Sequence, residues 1–155
     1  MAFDEGIKLV CDVFNIEIMK EFQVKAIREV VEGERDVFVN MPTGCGKSLT
    51  YQALPIMFDR VRRTNNSIVL VVSPLVSLMT DQVSHLKSLG VKAICLSNPL
   101  TLEEETDLLA GKYSIVYGSP ESWLMTKKWR SMIISEPYKN IRAVAVDEAH
   151  VIRHW

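Results

Sequence analysis

Met41-Pro-Thr-Gly-Cys-Gly-Lys-Ser48 carries residue types that suit a triphosphate. The octapeptide follows a short apolar run, Asp36-Val-Phe-Val-Asn40, and precedes a helical pattern that opens at Lys47 and continues through Leu54 and Phe58. A strand, a glycine turn and a helix place successive backbone N–H groups around one anion at a helix N-terminus. Gly44 and Gly46 let the chain curl closely around phosphate, with Thr43 and Cys45 completing the turn. Lys47 can reach the β- and γ-oxygens, and Ser48 offers a hydroxyl to Mg²⁺. Met41 stands where the strict phosphate-loop pattern has glycine. The alternative for this stretch is a plain glycine turn beside a surface lysine. A second group of chemically apt residues lies 100 positions beyond Lys47, where Asp147-Glu148 closes the apolar run Ile141-Arg-Ala-Val-Ala-Val146. Asp147 can hold Mg²⁺ while the metal bridges phosphate oxygens, and Glu148 can orient and deprotonate an attacking water. An acidic helix cap would explain the same two carboxylates alone, but downstream of a phosphate loop each motif supports the other. His150 reads either as a helix-start histidine or as a link from the nucleotide to a moving partner.

These residues need a scaffold, and the chain alternates the two kinds of element that supply one. Phe3–Phe14 and Lys20–Glu32 have apolar residues at helical spacing, so two helices should precede the first strand. Ser67-Ile-Val-Leu-Val-Val72 is apolar on both faces, as a strand covered on both sides must be. Ser73-Pro74 interrupts it, and Leu75–Leu89 reads as a helix stopped at Gly90. Val91–Leu96 is the next strand. Thr101 and Glu104 form a capping box for a helix ending near Gly111. Tyr113–Tyr117 is a further strand, Glu121–Ile134 a helix, and Ile141–Val146 a fifth strand. The expected fold is α/β, a three-layer parallel sheet with helices on both faces. Ligands of such sheets sit at the carboxyl ends of the strands, where the glycine turn and Asp147 both fall.

At 155 residues the chain is the size of one ordinary domain. No apolar run approaches the roughly 20 residues that span a bilayer, and the N-terminus lacks the basic and apolar regions of a secretory signal. Cys11, Cys45 and Cys95 are an odd, scattered set, which argues against disulfides and zinc and for a reducing interior. A helix N-terminus two residues before Lys47 would bias Cys45 toward thiolate, so its modification would block nucleotide; a tolerated small residue is the simpler account. The net charge of −1 gives no general attraction to polyanions. Arg60-Val-Arg-Arg63 and Lys127-Lys-Trp-Arg130 offer basic residues, in one case beside an aromatic, but such short clusters read as solvated helix ends.

Taken together in order, the motifs resemble the first motor domain of RecQ-family DNA helicases, within the DEAD/DEAH superfamily. The resemblance is carried by Met41–Gln52, by Ser73-Pro-Leu-Val-Ser-Leu-Met-Thr-Asp-Gln-Val83, by Gly118-Ser-Pro-Glu121 and by Val146-Asp-Glu-Ala-His150. It implies a RecA-like P-loop NTPase domain over residues 1–155, incomplete at the C-terminus, in an ATP-dependent 3′–5′ DNA helicase that uses ATP and Mg²⁺ inside the cell, in the nucleus of a eukaryote. It further implies an adenine-reading segment at about residues 14–23, with Gln23 at the base's edge and Lys20 where an arginine packs over adenine. Ile16 replaces a stacking aromatic, Met19 a phenylalanine, and lysine lacks arginine's planar fork. Single-stranded or forked DNA is the implied partner, its backbone passing Pro74, Leu75 and Ser119. His150–Trp155 resembles the start of an aromatic-rich loop that couples DNA to ATP, with Arg153-His154 where serine and glutamine are usual; Trp155 is its DNA-contacting residue. The second RecA-like lobe would lie outside this sequence. So would the strand that normally inserts between the phosphate-loop strand and the strand ending at Asp147, which would leave unpaired backbone inside the sheet, marginal folding, weak ATP binding and no unwinding. The competing reading is a degenerate nucleotide-binding module that binds DNA or protein without translocating. A P-loop kinase would leave Ser73–Val83 and Ser119–Glu121 unexplained.

Overall fold

The computed structural model describes residues 1–39, 46–147 and 151–154. Two helices, α1 (Ala2–Phe14) and α2 (Glu21–Val31), precede the short strand β1 (Val37–Phe38). After the glycine turn come α3 (Leu49–Gln52) and α4 (Leu54–Arg62), then β2 (Ile68–Val72), α5 (Val76–Ser88), β3 (Ala93–Cys95) and α6 (Leu102–Leu109). The chain continues through β4 (Ile115–Gly118), α7 (Pro120–Met125), α8 (Lys127–Ile133), a 3₁₀ turn at Glu136–Asn140, β5 (Ile141–Val146) and β6 (Val151–His154).

The six described strands form one sheet in the order β1-β6-β5-β2-β4-β3. Pairing is parallel from β5 through β2 and β4 to β3. Side chains alternate across this part of the sheet, and each face has its own core. Val69, Val71, Ala93, Cys95, Ile115, Tyr117, Ala143 and Ala145 face the helices α1, α2, α4 and α5. Ile68, Leu70, Ile94 and Val116 face Leu108 of α6, Trp123 of α7, and Trp129 and Met132 of α8. Apolar residues at consecutive strand positions therefore serve two helical layers, and the three-layer architecture follows. A register shift at the start of the β2–β5 ladder, where Ile68 pairs Ile141 but Val69 pairs Ala143, skips Arg142. Ile141 thus faces the same core as Ile68 although Ala143 and Ala145 face the other. Arg142 Nε donates to Ser67 Oγ, which in turn donates to Asp59 of α4.

Local chemistry sets the element ends. Thr101 Oγ1 accepts from Glu104 N at 3.1 Å, and Glu104 Oε1 accepts from Thr101 N at 3.0 Å, the expected capping box of α6. The single helix expected from Lys47 onward is two, because Pro55 at the start of α4 has no N–H to continue the ladder past Ala53. The helix expected over Glu121–Ile134 is also two: Thr126 is extended at φ −100°, ψ 107° and divides α7 from α8. Trp123 Nε1 of α7 donates to Val71 O at 3.1 Å, fastening that helix to the central strand.

The larger departure is β6. The position between β1 and β5, expected to lack a strand, is taken by Val151–His154, which pairs antiparallel with both neighbours. The sheet is therefore mixed, and the backbone groups of β1 and β5 expected to be orphaned have partners. Burial drives the insertion: Ile152 is 2% exposed and joins the core of α1, α2 and α4. The segment expected to begin an aromatic-rich loop is a strand over 151–154; Trp155 lies outside the described residues. Arg153 pairs with Asp36 at 3.1 Å, beside the start of β1.

Candidate nucleotide site

β1 and β5 are both antiparallel to β6, so they run parallel to each other and their carboxyl ends meet the same edge of the sheet. Phe38 and Val146 both pair with Val151 and stand level across β6. Two strand spacings put them about 9–10 Å apart. Val72 is in register with Gly118 and Val146, so Ser73, Ser119 and Asp147 leave that same edge. Asp147 N donates to Val72 O at 2.8 Å and Ser73 N donates to Gly118 O at 3.1 Å, locking the three exits together.

Lys47 and Asp147 line one small cavity at this edge, together with Val39, Tyr51, Val146 and Ile152. Lys47 and Asp147 thus face one space although β6 separates the strands that lead to them. Thr43, Gly44 and Cys45, and likewise Glu148 and His150, lie outside the described residues. The donors present suit magnesium: a carboxylate at Asp147 and a hydroxyl at Ser48 are hard oxygen ligands, and Mg²⁺ is usually held by one or two such groups plus substrate phosphates. Among the described residues no group of three His, Cys, Asp or Glu gathers that could cage a metal unaided.

Gln23 is placed differently from the expectation of a base-reading side chain. It is 4% exposed; its Oε1 accepts from Lys20 N at 2.8 Å, capping α2, and its Nε2 donates to Gly46 O at 2.9 Å. The amide thus ties the start of α2 to the glycine turn, 23 positions away. Gly46 has φ 82°, and a Cβ there would stand 2.6 Å from Gln23 Nε2, so only glycine admits this contact. Beside it opens a cleft of about 550 Å³ that Phe14, Ile16, Lys20 and Gln23 line from one side, Ser48 from the turn, and His85 from α5. Ser48 on its wall makes the cleft continuous with the glycine turn that precedes Lys47.

Of the residues expected along DNA, Pro74 and Leu75 are exposed. Ser119 is buried, and its hydroxyl accepts from Ser122 N at 3.1 Å as the cap of α7. Trp129 is 8% exposed and belongs to the core, so Lys127–Arg130 has no aromatic platform to offer a base. Arg62 stacks over Phe58 and pairs with Glu34. Cys11 and Cys95 are free thiols. Among the described residues no helix is long and apolar enough to cross a membrane.

Two residues escaped the motif reading. The Tyr51 hydroxyl lies 3.1 Å from Asp147 Oδ2 and 2.9 Å from Gln82 Oε1. Burial, reinforced by neighbouring Tyr117 and Asp147, pushes the Tyr51 phenol well above its ordinary pKa, so it stays protonated. The spacing of Lys47, Thr50 and Tyr51 at i, i+3 and i+4 was the available signal, since it sets the three on one side of a helical turn.

The three-layer α/β sheet, with Lys47 and Asp147 on one edge, has a RecA-like fold. The chain belongs to the DEAD/DEAH box helicase family, whose profile matches residues 20–155. It is 35% identical over 154 residues to the ATP-dependent DNA helicase RecQ of Haemophilus influenzae, an alignment covering 97% of this chain and 23% of that protein. It is 36% identical over 151 residues to the ATP-dependent DNA helicase Q5 of Rattus norvegicus, covering 92% and 15%. Against the ATP-dependent helicase SGS1 of Saccharomyces cerevisiae it is 35% identical over 158 residues, covering 98% and 11%. The chain thus spans between 11% and 23% of the length of these relatives. Its fold matches the crystal structure of the DUF1998 helicase MrfA bound to DNA and AMPPNP, with a TM-score of 0.68 and 18% identity over 94% of this chain and 21% of that one.

Proposed function

We propose that this chain is the N-terminal part of the ATP-binding lobe of a RecQ-type, ATP-dependent DNA helicase with 3′–5′ polarity. The observation that supports it best is the cavity shared by Lys47 and Asp147, with the Gly46 turn at its side. In this reading the backbone N–H groups from Thr43 through Gly46 cradle the phosphates, and Lys47 neutralises the β- and γ-oxygens. Ser48 and Asp147 hold Mg²⁺, which supplies charge neutralisation at the phosphates. Glu148 orients the attacking water and takes its proton, while His150 links the nucleotide to bound DNA. Lys20 and Ile16 pack against the adenine, and Gln23 reports its arrival by exchanging the Gly46 carbonyl for the base. Single-stranded DNA passes over the exposed Pro74 and Leu75, toward Ser119 and Trp155, held by its backbone. The second RecA-like lobe, outside these 155 residues, closes the cleft and completes the transition-state charge stabilisation.

The engagement of Gln23 by Gly46 favours a second reading, a nucleotide-binding regulatory module that binds DNA or protein without translocating. ATP hydrolysis by the full-length protein, with and without single-stranded DNA, separates the two. Hydrolysis that rises with DNA and vanishes in Lys47→Ala supports the helicase. Nucleotide binding with no DNA-stimulated turnover supports the module. Absence of nucleotide binding refutes both.

A further inference from the structure

We propose that Tyr51 is a positioning residue for Asp147, and that Gln82 sets the direction of its hydroxyl. The inference rests on the nucleotide reading above and names what holds its metal-binding carboxylate in place. Tyr51 is 4% exposed. Phenylalanine would fill most of the same core volume without burying a hydroxyl, and a buried hydroxyl is costly unless it is partnered. Here its partners come from separate parts of the chain. Tyr51 stands on α3, directly after Lys47 and Ser48; Asp147 follows β5; Gln82 belongs to α5, in the block that opens at Ser73. One oxygen therefore joins the phosphate turn, the strand-end carboxylate and the helix behind the proposed DNA edge.

The ring itself is held. It packs edge-on against Tyr117, centroids 6.3 Å apart and planes at 68°, and Gln52 Nε2 donates to the Tyr117 hydroxyl at 3.0 Å. A half-buried aspartate at a strand end can turn about two side-chain bonds. A hydrogen bond to Oδ2 from a fixed phenol selects one orientation before any cation arrives. One phenolic proton serves one acceptor at a time, and the charged carboxylate is the stronger one. Turning the Gln82 amide by 180° exchanges its oxygen and nitrogen with little change of shape. Gln82 then donates to the Tyr51 oxygen while Tyr51 donates to Asp147, so the phenol both accepts and donates.

The test is the Mg²⁺ dependence of binding of a fluorescent, non-hydrolysable ATP analogue to the full-length protein, alongside its affinity in EDTA. Tyr51→Phe is expected to keep its EDTA affinity within about twofold and to need about tenfold more Mg²⁺ for half-maximal effect, the size typical of an orienting partner behind a metal ligand. Gln82→Ala is expected to shift the Mg²⁺ requirement the same way by about two- to threefold. A merely structural tyrosine would lower the melting temperature and both affinities together, leaving the Mg²⁺ requirement unmoved; that result overturns the proposal while the nucleotide reading stands. If Tyr51→Phe does not fold, Gln82→Ala at its half-buried helix position decides alone, an unchanged Mg²⁺ requirement counting against the proposal. Wild-type protein that binds no analogue in either condition removes both readings.

Discussion

Replacing Gly46 by alanine probes the contact between the glycine turn and α2. Two costs add at this position. Alanine at φ 82° occupies the left-handed region, which costs an L-residue about 1–2 kcal/mol. Its Cβ would stand 2.6 Å from Gln23 Nε2, so the amide must swing away and give up its 2.9 Å bond to Gly46 O, about 1 kcal/mol net. The sum is about 2–3 kcal/mol. In a chain of this size each kcal/mol lowers the melting temperature by about 2–4 °C, so the expected fall is about 5–10 °C. Urea unfolding followed by tryptophan fluorescence can measure it, because Trp123 and Trp129 are buried in the core. A double-mutant cycle isolates the contact. In a Gln23→Ala background, Gly46→Ala should cost only the backbone part, giving a coupling of about 1 kcal/mol. If Gly46→Ala falls within about 0.5 kcal/mol of wild type, or the two substitutions add without coupling, the described link between α2 and the phosphate turn is wrong.

Lys47→Ala should abolish ATP hydrolysis by the full-length protein while circular dichroism stays unchanged, and Glu148→Gln should keep nucleotide binding but stop turnover. Trp123→Phe removes the donor to Val71 O and should lower stability by about 1–2 kcal/mol in urea unfolding. Thr101→Ala deletes the cap of α6 at a cost of about 1 kcal/mol, measured the same way. The backbone N–H of Thr101 holds Glu104 below the usual carboxylate range. A depressed folded pKa means its charged form stabilises the fold above the unfolded pKa, and that stabilisation disappears as pH falls through the folded one. Glu104→Gln, which keeps an acceptor but no charge, should therefore melt about 1–2 °C below wild type at neutral pH and together with it in acid.

The parallel part of the sheet was legible because its strands are apolar at consecutive positions, and only burial on both faces explains Ile68–Val72 or Ala93–Cys95. Thr101 and Glu104 announced their helix by a local rule needing no tertiary information. Pro55 and Thr126 divided helices whose apolar spacing ran straight through them, and Pro55 at least was visible as a residue without an N–H. β6 was hidden for a different reason. Val-Ile-Arg-His is too short for its pattern to outweigh a motif expectation, and its partners β1 and β5 lie more than 100 positions apart. The site divided in the same way. Lys47 and Asp147 were identifiable from the strands before them, since such strand ends share an edge. The bond from Gln23 to Gly46 and the joining of Tyr51 to Gln82 depend on which helix faces which turn, and sequence spacing carries no such information.

β1 is two residues long, forms the margin of the sheet with Phe38 65% exposed, and among the described strands pairs with β6 alone. A four-residue seam thus stands between the strands that lead to the lysine and to the carboxylate. A short seam at a sheet margin is a natural place for breathing, and its amides should exchange with solvent well before those of β2 and β4. A ligand that touches both Lys47 and Asp147 would favour the shut seam. Its binding energy would then appear partly as slowed exchange in Val151–His154, a strand the ligand need never touch.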